Sequence, residues 1–165
     1  MLPAKKLFEW HKVNETIAHA NQELDELTKQ EQVHVNTIQQ LTSKLEALPV
    51  TDTPDDQIAR MLAEQELWMA QKAYERFQEE AGGTRFELDS RISEQQFERV
   101  RLEQELEQAH LAEYYRIKEN KKNPIVEVKR KMCTGCFLPL SLAKVDEWRR
   151  AKGLVYCDEC GRILV

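Results

Sequence analysis

From Trp10 to Leu48 apolar residues recur at alternating intervals of four and three. One row runs Trp10, Ile17, Leu24, Glu31, Ile38, Leu45, and the second Val13, Ala20, Leu27, His34, Leu41, Leu48. Ten of these twelve positions are apolar, the 3-4 spacing of a coiled-coil seam. Residues 4–48 contain no glycine or proline, so the pattern predicts one helix about 66 Å long at ~1.5 Å per residue. A helix of that length draws its stability from packing rather than propensity, and its stripe calls for a partner helix. Glu31 and His34 interrupt the seam. A seam histidine can sense pH or bind a ligand, but a polar layer that fixes register is the favoured reading.

The partner follows directly in sequence. Leu48 to Pro54 reads as a helix stop and a turn at 49–54, with Thr53 as N-cap, Pro54 at the first helical position and Asp55 and Asp56 in the first turn. The second stretch offers Ile58, Leu62, Met69, Ala73 and Phe77 as a seam. Gly82-Gly83 interrupts it, and Thr84 to Glu87 restarts it as a capping box. Leu88, Ile92, Leu102, Leu106 and Ala109 continue it, with Gln95 and Arg99 as polar breaks, until Lys121 to Pro124 stops the helix near Asn120. Two arrangements fit: one helix over 55–119 kinked at Gly82-Gly83, or a true turn there and three helices. Pairing Leu48 with Asp55 sets Gly83 opposite the small Ala20, which favours the kinked antiparallel hairpin.

Beyond residue 120 the pattern shortens. Ile125 to Val128 and Ile163 to Val165 read as short strands. Between them Ser141 can cap a short helix with Leu142, Val145 and Trp148 on one face and Gly153 at its end. The expected fold class is therefore mainly α: a coiled-coil hairpin over 1–120 and a small ribbon over 121–165.

Composition supports this division. Apolar residues are 41% and charged residues 32% of the 165, against ~45–50% and ~25% in ordinary globular domains, which argues against an enzyme with one large core. Residues 1–120 carry 14 basic and 24 acidic side chains, and 121–165 carry 10 and 5, so the overall −5 conceals halves of opposite sign. No apolar run approaches the ~18 residues of a membrane span. The start, residues 1–10, lacks a signal-peptide core, so a cytoplasmic location is expected.

All four cysteines fall in two pairs, Cys133-Thr134-Gly135-Cys136 and Cys157-Asp158-Glu159-Cys160, with twenty residues between the pairs. This is structural-zinc spacing. Two residues between cysteines let one tight turn present both sulfurs to an ion bound at ~2.3 Å, and Gly135 and Gly161 let the backbone curl and aim its amides at sulfur. Disulfides do not suit a cytosolic chain, a thioredoxin-like pair would need a βαβ framework, and a rubredoxin-like iron centre shares the same ligand set. The expected cofactor is one structural zinc ion held by Cys133, Cys136, Cys157 and Cys160, with a closed coordination sphere. His11, His19 and His110 read as helix-surface residues with no metal pattern. No phosphate loop, H-E-x-x-H or G-x-S-x-G motif is present, and Gly82-Gly83-Thr84 reads as a kink rather than an anion site. The chain is not expected to be an enzyme.

Residues Leu111 to Ile117, the two cysteine pairs, Leu138-Pro139-Leu140 and the tail Cys160-Gly161-Arg162-Ile163-Leu164 closely resemble a bacterial family. Its members join a coiled-coil hairpin to a C-terminal four-cysteine zinc ribbon. The resemblance is specific over about a third of the chain, and this chain resembles a member with a shortened hairpin. It implies a non-enzymatic adaptor. Some members act as chaperones or regulators of an alternative sigma factor and of flagellar or type III export components, and some bind nucleic acid.

Two functions compete on the residues themselves. In the first the acidic helices present a face to a protein partner. In the second the basic module contacts RNA or DNA through Lys121, Lys122, Lys129, Arg130, Lys131, Arg149, Arg150 and Lys152, with Lys118 adjoining. Four thiolates on zinc trim the module's +5 to +3, and only Phe137, Trp148 and Tyr156 are available to stack on bases, so the adaptor reading ranks first. A redox role requires iron.

Overall fold

The computed structural model describes residues 3–51 and 53–165; Met1, Leu2 and Asp52 lie outside the described residues, Asp52 within the expected turn. Two long helices, α1 (Pro3–Ala47) and α2 (Pro54–Glu105), pack together. A short helix α3 (Gln108–Lys118) follows, then β1 (Ile125–Val126), β2 (Val128–Lys129), β3 (Met132–Cys133), α4 (Leu142–Arg150), β4 (Val155–Tyr156) and β5 (Ile163–Leu164). The fold is mainly helical with a small stranded C-terminal region, as the periodicity predicts. The chain forms two compact units, one of Met1–Ala18 with Ser93–Val165 and one of His19–Ile92.

In the unit of residues 19–92 the α1 seam lies where its spacing puts it. Ala20 is buried, and Leu24, Leu27, Glu31, His34, Ile38, Leu41 and Leu45 are all at least partly covered. The polar interruptions form one layer. The Glu31 carboxylate accepts from Tyr74 Oη at 3.0 Å and from Arg85 Nη2 at 2.6 Å, and His34 stacks against Tyr74 and Phe77 at ring distances of 5.9 and 5.0 Å. Arg85 first, and Tyr74 second, hold the Glu31 carboxyl below its ordinary range. The layer ties α1 to α2 through specific polar partners, the arrangement a register-fixing layer calls for, and His34 packs on aromatic rings.

The α2 seam differs from expectation. Ala63 and Ala81 are buried, Leu67, Ala70, Tyr74 and Phe77 partly so, whereas Ile58, Leu62, Met69 and Ala73 are exposed. Of the expected first-half seam only Phe77 faces α1. The register also shifts. Lys44 pairs with Glu66 at 2.7 Å and His34 lies on Phe77. Carried back to Ala20, this register reaches the stretch from Leu88 to Ile92, about two turns beyond Gly83 at ~3.6 residues per turn. Gly83 is itself exposed.

Gly82 and Gly83 are helical, and the turn and three-helix reading is not realised. Thr84 is no capping-box residue; its hydroxyl donates back to the Glu80 carbonyl within the helix at 3.4 Å. Thr53 does cap α2, accepting from the Asp56 amide at 3.4 Å and bonding the Asp56 carboxylate at 2.6 Å.

In the other unit Leu7, Trp10, Val13 and Ile17 of α1 are buried, as are Leu102 near the end of α2 and Leu106 just past it. Trp10 Nε1 donates to Glu103 at 3.0 Å, and Lys6 pairs with Glu105 at 2.9 Å. The helix expected to run to 119 breaks after Glu105, and α3 restarts from Glu107, whose side chain makes no capping bond. Ala109 is exposed rather than on the seam. His11, expected at the surface, is only 5% exposed and shares a 2.7 Å hydrogen bond with Tyr114 Oη. His19 is exposed.

β1 pairs in parallel with β5, and β4 pairs antiparallel on the other edge of β5; β2 and β3 make a separate hairpin. Val126, Val155, Leu164, Cys133 and Cys157 form the core between them, with Val128, Leu140 and Trp148 packed against it. Ser141 caps α4, accepting from the Lys144 amide at 3.1 Å. Two details of this helix differ from the pattern: Leu142 is 75% exposed, and α4 ends in extended backbone at Ala151, before Gly153. Leu138 is 45% exposed.

Candidate metal centre

Two matching turns present the cysteines. Cys133 ends the β2–β3 hairpin and Cys157 follows β4. In each turn the amide after the second cysteine closes back on the carbonyl of the first: Phe137 N donates to Cys133 O and Gly161 N to Cys157 O, both at 2.8 Å. That closure requires a left-handed residue, and Gly161 adopts φ +68°. In the first turn the equivalent residue is Phe137, at φ 60°. Gly135 therefore serves a different purpose from the backbone freedom expected of it. A Cβ there would lie 2.6 Å from Arg162 Cδ and 3.1 Å from Val126 Cγ1. The Arg162 side chain crosses this glycine while its guanidinium donates to Asn123 O at 2.8 Å and Gly135 O at 3.1 Å.

The four Sγ atoms all lie within 4.8 Å of one another, with Cys133–Cys160 at 3.7 Å and Cys136–Cys157 at 3.8 Å. A tetrahedron of thiolates at ~2.3 Å from a central ion has an edge of about 3.8 Å. A disulfide would bring sulfurs to ~2.05 Å. The donor set and its spacing therefore fit one zinc ion. The surrounding amides fit as well, since Gly135 N donates to Cys133 Sγ at 3.4 Å, as the spacing led one to expect.

Without a metal the cluster is electrostatically uneven. Burial pushes the Cys133 thiol up to about 12 and raises that of Cys157. At Cys160 burial also opposes ionisation, but hydrogen bonds from the Arg162 amide and guanidinium and from Cys157 and Cys133 bring it down to about 7. A cation is what allows all four to be thiolates together.

The expected basic residues are spread over the module. Arg130 and Lys131 occupy the two-residue turn of the β2–β3 hairpin at φ 53° and 62°, left-handed positions that usually go to Asn-Gly. Lys129 pairs with Glu127 at 2.6 Å. Arg149 and Arg150 sit in the last turn of α4, where Arg149 borders an apolar groove of about 240 Å³ with Lys5, Trp148, Val155 and Leu164. Lys152 and Lys122 are exposed, and Lys121 is half-buried. Lys118 lies over the Tyr114 ring at 5.6 Å. The sequence reading missed Arg162 as the residue that braces the first cysteine turn; its place in the tail after Cys160 was the available signal.

Residues 132–164 match the family described as the C4-type zinc ribbon domain. The C-terminal region is thus a C4-type zinc ribbon with its cysteines clustered for one structural zinc. No curated protein matches the chain. Among solved structures it is similar to the HP0958 protein of Helicobacter pylori CCUG 17874, at 20% identity over 97% of this chain and 83% of that one, with a TM-score of 0.42. It is also similar to CT398 of Chlamydia trachomatis, at 18% identity over 98% and 84%, with a TM-score of 0.38. A Mycobacterium smegmatis protein shares 17% identity over 98% and 83%, with a TM-score of 0.33. No helix among the described residues is long and apolar enough to cross a membrane.

Proposed function

We propose that this chain is a non-enzymatic adaptor that binds a protein partner through its long helices, with Cys133, Cys136, Cys157 and Cys160 as the four ligands of a structural zinc. The observation that carries this reading is a row of large apolar side chains on the outer face of α2: Ile58, Met61, Leu62, Trp68 and Met69 are 56–68% exposed. Exposed apolar rows of this kind mark interaction surfaces, and tryptophan is the residue type that most often anchors them. A four-thiolate site supports the same reading, because it leaves no coordination position for a substrate. The partner class follows the family resemblance, a cytoplasmic regulator of the sigma-factor kind or an export component.

A second reading, nucleic-acid binding, is favoured by the hairpin turn that displays Arg130 and Lys131 in a conformation costly for such residues. Affinity capture of the tagged chain from its own host, with and without nuclease, separates the two. Protein partners retained after nuclease and lost in Trp68→Glu support the adaptor. Partners that vanish with nuclease and persist in Trp68→Glu support the nucleic-acid reading.

A further inference from the structure

The outer row on α2 has a symmetry that selects an occupant. Ile58, Met61, Leu62, Gln65, Trp68 and Met69 recur at intervals of three and four, so they share one face of the helix. Ala63, Leu67, Ala70, Tyr74 and Phe77, which face α1, lie on the opposite side. Apolar side chains therefore cover both sides of this segment, and among the described residues only the α1-facing side is covered by a neighbour.

The row is balanced about Gln65. Met61 and Met69 stand four residues either side of it, and Leu62 and Trp68 three. The ends differ in charge: Asp55 and Asp56 lie at the N-terminal end, and at the C-terminal end Glu75 offsets Lys72 and leaves Arg76 as the net positive charge. Arg76 and Asp55 are exposed, and Lys72 holds Glu75 at 2.6 Å with its side chain 44% exposed. An acidic end and a basic end flanking a balanced apolar centre are complementary to the same surface turned end for end. That is the requirement of an isologous two-fold interface.

The size is also sufficient. With ~200 Å² for a fully exposed large side chain, the five apolar residues present on the order of 600 Å² per chain, the upper limit of what a typical monomer leaves open. Two such faces bury roughly 1,200 Å², the lower edge of stable interfaces.

We propose that the outer face of α2 over residues 55–76 docks on the same face of a second copy of this chain, antiparallel, with Gln65 at the two-fold axis. Leu62 packs on Trp68 of the second copy, and Arg76 meets its Asp55. The proposal rests on the reading of the helices as a protein-binding surface and names the first protein that the surface binds.

Sedimentation equilibrium of the full-length, zinc-loaded chain tests it. A concentration-dependent monomer–dimer equilibrium is expected, weakened about tenfold or more by Trp68→Glu. Arg76→Glu and Asp55→Arg should each weaken self-association, and mixing these two variants should restore it, because each supplies the charge the other lacks. Every substituted side chain is exposed, and an unchanged circular dichroism spectrum confirms the fold of each variant. A monomer at all concentrations up to ~100 μM, a dimer indifferent to Trp68→Glu, or no recovery on mixing would each overturn the proposal. A monomer that still captures a host protein through Trp68 would remove the dimer and leave the adaptor reading intact.

Discussion

Arg162 and Gly135 show how single residues shape the metal turn. The arginine spans the glycine and ties two backbone carbonyls, so a methyl group at residue 135 must displace it. Gly135→Ala should cost about 1–2 kcal/mol, the worth of the lost hydrogen bonds, and lower zinc affinity in a chelator competition. Phe137 is the contrasting case. It is 72% exposed and left-handed, a conformation that costs a non-glycine residue roughly 1–2 kcal/mol. Phe137→Gly should therefore hold zinc at least as tightly as the natural chain, and a clear loss would show that the phenyl ring has another role. At His11, burial lowers the imidazole pKa below 6.5, Glu15 opposes, and Lys118 and Lys12 add to the lowering. The folded state thus disfavours the charged ring. The associated stability is complete above the unfolded value and is lost as pH falls from about 6.5 toward the folded value. Urea unfolding should show this decline between pH 7.5 and 5.5, and His11→Leu should flatten it.

At the scale of elements, α1 was readable and α2 only in part. The α1 seam keeps its heptad spacing from end to end, the polar layer at Glu31 and His34 included, and every seam position is at least partly covered. In the first half of α2 the seam instead uses Ala63, Ala70 and Ala81, which let the helices approach closely, while the bulkier Ile58, Leu62 and Met69 stay outside. A rule that assigns the largest apolar residues to the core selects the wrong face there. Gly82 and Gly83 misled for a related reason: their low helix propensity is outweighed by seam packing on either side. Each still weakens the helix, and a Cβ at either position would touch nothing within 4 Å. Gly82→Ala with Gly83→Ala should then stabilise the chain by up to about 2 kcal/mol in urea unfolding. A loss of stability would identify the pair as a required bend. The break at Leu106-Glu107 left no such trace, since neither residue is a helix breaker. In the ribbon the cysteine spacing disclosed the site, whereas the left-handed Phe137 and the crossing Arg162 depend on backbone closure that spacing does not encode.

For the whole molecule, the metal chemistry concentrates at one end of the sequence and the exposed apolar row of α2 belongs to another part. Residues 121–165 are net basic and contain every cysteine, while residues 1–120 are net acidic and carry the outer row of α2. The small ribbon core, chiefly Val126, Val155 and Leu164 with two cysteines, makes metal binding and local folding a single event. Metal content, measured by elemental analysis and native mass spectrometry on the purified chain, tests this most directly. One zinc per chain is the expected result, with chelation releasing four reactive thiols and disordering the surroundings of Trp148 while most of the helical circular dichroism persists. Iron in its place, or a metal-free chain whose four thiols react freely under native conditions while the ribbon stays folded, would contradict it.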